Sequence, residues 1–171
     1  MLRVHRQKNG SLVVSVPQLD AFVLRELPAR LRNLLERPDF ASRVVQRLFP
    51  AAYKDPSKDA EYQKLLGDDL LRRKRESIAL FEKTLENWKL RGRRVEITIS
   101  EADFELWLGF VNDMRLVLGT ELDIQDESWG QNFDPDHPQA QDFALLHYLS
   151  WLEEELLQAK GFPDSQTLNE R

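Results

Sequence analysis

The sequence predicts an α+β fold, mostly helical, with an N-terminal β-hairpin plus a third antiparallel strand and about five or six helices around a central buried helix (100–118). Three observations predict it. The pair Asn9-Gly10 separates two β-favouring runs, Leu2–Gln7 and Leu12–Val16, and Asn-Gly supplies the two positive φ angles of a type I′ hairpin turn. Val95–Ile99 alternates bulky apolar with polar residues, which provides the third strand that an isolated hairpin needs. Phe104, Leu106, Trp107, Leu108, Phe110, Val111, Met114, Val117 and Leu118 cover more than half of a helix circumference. A helix that apolar is buried on several sides.

The other elements follow in chain order. Pro17 suits a first helical turn, where its missing N–H costs nothing. Leu19, Phe22, Val23, Leu27, Leu31, Leu34 and Leu35 then recur at helical spacing. Pro28 must kink or divide that helix, because it removes an internal hydrogen bond. Asp39 reads as the N-cap or first-turn residue of a short helix that buries Phe40, Val44 and Leu48 and ends at Pro50. Ala51–Ser57 reads as a loop. A further short helix, Asp59–Leu66, should stop at Gly67. Asp68 and Asp69 are placed as the N-terminal carboxylates of a long helix reaching about Leu90. One face of it carries Leu70, Leu71, Lys74, Ile78, Phe81, Leu85 and Trp88.

Arg91–Arg94 reads as a basic turn. Ser100-Glu101-Ala102-Asp103 resembles a capping box ahead of the central helix, and Gly119 is placed just past its end. The polar, acidic stretch Asp123–Gln141 is too long for an ordinary connection. The last helix, Asp142–Ala159, should bury Leu145, Leu149, Leu152 and Leu156 and end at Gly161. His147 points away from that leucine stripe into solvent. Trp151, near Glu155 on the polar side, reads as a partner contact or a loop-covered packing residue. One globular domain over 1–161 with a flexible tail at 162–171 is expected.

Composition bounds the function. A chain of 171 residues buries roughly two thirds of its unfolded surface. Its 42% hydrophobic content argues against disorder. With no cysteine it has no disulfide, thiolate nucleophile or thiolate-bound metal. No early apolar run resembles a signal peptide, and no stretch reaches the ~18 apolar residues of a membrane span. A cytoplasmic protein without membrane association is expected. Residues 1–100 carry 21 Lys and Arg against 13 Asp and Glu, whereas residues 101–171 carry 3 against 16. Such a split marks either charged binding surfaces or two halves that fold against each other. The second reading is preferred.

Enzyme motifs are missing. The seven glycines never fall in a phosphate-loop spacing, and neither GxSxG nor HExxH occurs. His5, His137 and His147 lack metal-ligand spacing, and the acidic stretch lacks the calcium-loop pattern around Gly130. No catalytic residue, cofactor or metal is expected, and the protein is read as a non-enzyme. Two basic clusters, 72–75 and 89–94, would lie about 25 Å apart on one continuous helix. They support a second reading, a nucleic-acid-binding transcriptional regulator, against which stands the pI of 5.3. An uncatalogued enzyme ranks third.

The order of hairpin, LDAFVLRELPARLRNLLER, RLFPAAYKD with a following DDL, and WLGFVNDMRLVLGTELDI resembles the uncharacterised bacterial family known as domain of unknown function 2017. The resemblance covers Leu2 to about Leu157 and is most specific over Arg47–Asp55 and Asn112–Thr120. It picks out Arg47, Phe49, Pro50, Tyr53, Asp69, Asn112, Asp113, Arg115, Gly119 and Thr120. Glu121 departs from the basic residue that often follows the Gly-Thr pair, which puts an anion-binding role there in doubt. Genes of the family tend to lie near that of the ClpS adaptor, so the resemblance implies a link to Clp-type regulated proteolysis. Helical periodicity sets Asn112 and Arg115 one turn apart on one flank of the buried helix. Together with Arg47, Tyr53, Asp69 and Asp113 they are expected to form a polar network or partner site in which Asp69 or a neighbouring carboxylate neutralises Arg115. A protein–protein interaction or regulatory module with a protein partner is the leading expectation.

Overall fold

Strand alternation divides each β-strand into a face for the core and a face for solvent. In the computed structural model, which describes residues 1–126, 129 and 134–162, four strands use that division. They are β1 (Arg3–Arg6), β2 (Leu12–Pro17), β3 (Lys89–Arg91) and β4 (Arg94–Ile99), antiparallel in the order β1-β2-β4-β3. Leu12 faces Ile99, Val14 faces Ile97 and Val16 faces Val95, and all six side chains are buried in the core. The alternate set includes the cross-strand row Arg3, Ser15, Glu96 and Lys89.

The first turn differs from the expected type I′. Lys8 and Asn9 keep negative φ, Gly10 alone is at +86°, and the Gly10 N–H donates to the Gln7 carbonyl at 3.0 Å. A turn followed by a left-handed glycine is the three-residue hairpin connection. The fourth strand, β3, corrects the expected helix end and basic turn. The preceding helix stops at Glu86, and Gly92 at φ +61° starts a tight turn of the kind that places glycine first. Trp88 therefore lies beyond the helix, partly buried against the core.

The helix α1 (Gln18–Glu36) runs unbroken through a buried Pro28. Its core stripe is Ala21, Leu24, Leu27, Leu31 and Leu35, so Leu19, Phe22 and Val23 face solvent and not the core as expected. The small Ala21 sets the phase that bulky residues alone misplace. Phe22 packs edge-on against Trp88 at 5.9 Å. In α2 (Arg43–Leu48) the N-cap is Ser42, not Asp39. The Asp39 carboxylate instead accepts from the Ala41 N–H at 2.9 Å. Val45, Leu48 and Phe49 are buried, whereas Phe40 is exposed.

The long helix α3 (Pro56–Glu86) spans 31 residues. Asp55 caps it by accepting from the Ser57 N–H at 2.9 Å, with Pro56 in the first turn. The expected break at Gly67 is absent, since an interior glycine costs only about 1 kcal/mol against alanine. Asp68 and Asp69 are consequently mid-helix residues, and their N-capping role is overturned.

The central helix α4 (Phe104–Glu121) starts after a turn in which Ser100 Oγ accepts from the Asp103 N–H at 3.1 Å. It buries Trp107, Phe110, Val111, Met114, Val117 and Leu118, and it touches α1, α2, α3 and α5. Gly119 lies inside the helix. The left-handed residue past the end is Asp123 at φ +54°. The last helix, α5 (Ala140–Lys160), buries Leu146, Leu149, Leu152 and Leu156, with Leu145 only partly covered. Gly161 at φ +103° closes it, and the Gly161 and Phe162 N–H groups both donate to the Leu157 carbonyl. The expected tail beyond Phe162 lies outside the described residues.

Candidate functional site

Arg115 and Asp113 sit on opposite flanks of α4, because two residues on a helix are about 200° apart. Each flank finds its own partner. Asp113 is buried and accepts from Lys74 Nζ of α3 at 2.7 Å. Lys74 Nζ also lies 5.7 Å from the centre of the Phe49 ring. Burial pushes the Asp113 carboxyl above the ordinary carboxylate range, and the Lys74 ammonium opposes that shift. Arg115 Nε donates to Ser150 Oγ at 3.1 Å, and its guanidinium pairs with Glu153, both on α5. Burial pulls the Arg115 guanidinium down from its ordinary value. Of the two expected alternatives, Asp69 or a neighbouring carboxylate, Asp69 is corrected: the neutralising carboxylate is Glu153. Asp69 lies on α3, exposed, paired to Arg72 one turn away.

The six expected residues do not form one network. Arg47 and Arg115 do meet, with Arg43, Gly119, Thr120 and Asp123, around a groove of about 480 Å³. Arg43 pairs with Asp123 at 2.9 Å, and the Thr120 hydroxyl donates to the Leu116 carbonyl at 2.8 Å. Tyr53 lies elsewhere, edge-on to Tyr62 at 5.7 Å, and Asn112 is exposed. The groove thus lies between α2, α4 and the 123–125 segment, with two of its three guanidinium groups paired, Arg43 to Asp123 and Arg115 to Glu153 of α5.

Part of the charge split is paired within the chain. Arg6–Glu101, Arg30–Glu121, Arg30–Asp142, Arg43–Asp123, Arg73–Glu105 and Lys74–Asp113 all join a cation before residue 100 to a carboxylate after it. The basic clusters share no helix, because 89–94 is the β3–β4 hairpin. Within the first cluster Arg72 pairs with Asp69 and Glu76, Lys74 with Asp113, and Arg75 donates to the Leu35 carbonyl. A second concavity, of about 650 Å³, lies on α5 between Trp129, Phe143, His147, Tyr148 and Trp151. His147 is exposed there, as expected. Trp151 Nε1 donates to Glu155 at 3.2 Å. Burial, with the Asp20 carboxylate, pushes the Tyr148 phenol up.

Another unexpected surface is the first half of α3. No residue from Pro56 to Glu76 is buried, and the buried stripe begins only at Ser77. Leu65, Leu66 and Leu70 are 73%, 46% and 38% exposed. The segment is tied down at its base. The Asp59 carboxylate accepts from the N–H groups of Ala52 (2.7 Å) and Tyr53 (3.2 Å). Beside it a groove of about 850 Å³ runs between the helix and the 38–51 segment, lined by Phe40, Phe49, Pro50, Gly67 and Leu71 among others. A sequence signal for this face existed. Leu65-Leu66 and Leu70-Leu71 are adjacent pairs, and neighbours on a helix point about 100° apart, so a narrow core stripe leaves one of each pair uncovered.

Among the described residues no group of three or more His, Cys, Asp or Glu is placed to hold a metal ion, and no helix is long and apolar enough to cross a membrane. Comparison with the curated proteins and with the solved structures finds no match. The hairpin, the Arg47–Asp55 segment and the α4 segment that closes the arginine groove are parts of one pattern: the family described as Domain of unknown function (DUF2017) matches residues 1–160, and the chain belongs to it.

Proposed function

We propose that the protein is a cytoplasmic protein–protein interaction or regulatory module, not an enzyme, and that it docks its partner through the first half of α3. One observation carries this reading: from Pro56 to Leu70 no residue is buried, and Leu65, Leu66 and Leu70 are presented to water. A lone exposed leucine is ordinary, whereas an apolar surface extended along one element marks an interaction site. Nucleic-acid binding is less well supported, because the cations at Arg72, Lys74, Arg75 and Arg91 already have partners within the chain. Clp-type proteolysis is the setting to test first, on the family resemblance.

The test is a pull-down from native cells with the wild type and with Leu65→Gln, Leu66→Gln and Leu70→Gln combined. Glutamine matches leucine closely in helix propensity, so the variant keeps the helix and removes the apolar surface. Loss of the wild-type partners from the variant is expected. Equal recovery by a folded variant contradicts the reading.

A further inference from the structure

We infer that the cavity on α5 binds a small quaternary ammonium cation, held between the rings of Trp129, Phe143 and Trp151 with the Glu154 carboxylate at its rim. The site is separate from the α3 surface and does not depend on it. Phe143, His147 and Trp151 recur at every fourth residue, so they share one face of α5, and Glu154 continues that face a turn later. Trp129 comes from the chain ahead of α5. Its ring lies 6.2 Å from Phe143 and stands edge-on to His147 at 5.3 Å. A space of about 650 Å³ opens between these residues, within the range of small-ligand sites.

The walls suit a cation. The face of an aromatic ring is negative, tryptophan's most strongly, and attracts a cation placed over it. Among the described residues the chain's own cations sit over Trp88, Phe49 and Phe104, and none sits over a ring of this cavity. Trp151 is held in place as a wall. Its Nε1 donates to Glu155 at 3.2 Å, and the Tyr148 ring packs perpendicular to it at 6.5 Å. Charge agrees, since residues 116–159 carry ten Asp and Glu and no Lys or Arg. Glu154 lines the cavity and is exposed, whereas its neighbours Glu153 and Glu155 are taken by Arg115 and Trp151.

Hydrogen-bonding capacity decides which cation. A lysine-like ammonium brings three N–H donors and a guanidinium brings five, and each donor left without an acceptor on desolvation is costly. The cavity has few acceptors to offer. The Ser150 hydroxyl already donates to the Leu146 carbonyl and accepts from Arg115 Nε at 3.1 Å. The Tyr148 hydroxyl is buried toward Asp20 of α1. Glu154 and the exposed His147 remain. A quaternary ammonium has no N–H to satisfy, and its methyl groups carry the charge directly onto the rings. One carboxylate at the rim then suffices.

Titration followed by tryptophan fluorescence and by calorimetry tests this. The probes are choline, its uncharged carbon analogue neohexanol, and ethanolamine, whose ammonium keeps its N–H donors. Saturable binding of choline is expected, with neohexanol about tenfold weaker and ethanolamine also weaker than choline. Glu154→Gln, at an exposed position, is expected to weaken choline severalfold and to leave neohexanol unchanged, whereas Trp151→Ala weakens both. Absence of saturable choline binding overturns the inference. Equal binding of choline and neohexanol overturns it too, because the cavity then selects for shape and not for charge. Retention on phosphatidylcholine vesicles by a protein that ignores free choline overturns the small soluble ligand in favour of a lipid headgroup.

Discussion

Asp113→Ala is expected to destabilise the fold by about 3–5 kcal/mol, because it leaves a buried ammonium without its counter-charge. Lys74 Nζ lies 2.7 Å from the Asp113 carboxylate, with both side chains nearly closed to solvent. The pair joins α3 to α4, two of the most extensively packed elements. Removing both charges together, as Lys74→Met with Asp113→Leu, is expected to be close to neutral, since the desolvation cost disappears with the attraction. Denaturant unfolding of the single and double variants checks this.

The pair also has a signature in pH. The folded-state pKa of Asp113 is raised by burial, so the folded protein holds this proton more tightly than the unfolded chain. Its contribution to stability is full below the ordinary aspartate pKa and is lost as pH rises through the folded value. Relief of the carboxylate's burial in acid thus outweighs the loss of its attraction to Lys74, whereas Asp113→Ala also removes the carboxyl that accepts from Lys74. Glu101, exposed and held down by Lys160 and Arg6, titrates in the opposite direction.

The second large effect lies in the aromatic stack. Phe81 is fully buried, with its ring centre 3.9 Å from Phe110 and 4.5 Å from Trp107. Phe81→Ala is expected to cost about 3–5 kcal/mol, through lost transfer energy and the cavity left beside the Phe110 and Trp107 rings. Thermal unfolding checks it. A cost below about 1 kcal/mol would show that the site collapses freely.

How much of this was legible depended on how local the deciding force is. The strands β1, β2 and β4 were, since period-two alternation and the Asn9-Gly10 turn are written within a few residues. So was the centre of the fold, because α4 is too apolar for any other place. Lys74 was placed on the apolar face of its helix, and it is there that Asp113 meets it. The partner of Arg115 was not legible. It is Glu153 on α5, 38 positions away, and only the crossing of two helices decides between it and Asp69. Gly67 misled because its propensity cost is small beside the cooperativity of a long helix. Leu19, Phe22 and Val23 misled because side-chain bulk is a poor guide to phase when a small alanine holds the contact. The strand β3 was hidden by its cationic residues, which suit an exposed edge as well as a turn.

On the proposed docking role, the leucines of the first half of α3 serve a partner and not the fold. The most direct measurement is the unfolding free energy of the dilute Leu65→Gln, Leu66→Gln, Leu70→Gln variant beside the wild type. A difference within about 1 kcal/mol is predicted, since surface substitutions of matched propensity change little. A loss of about 3 kcal/mol or more would place these leucines in the protomer's own core and contradict the account.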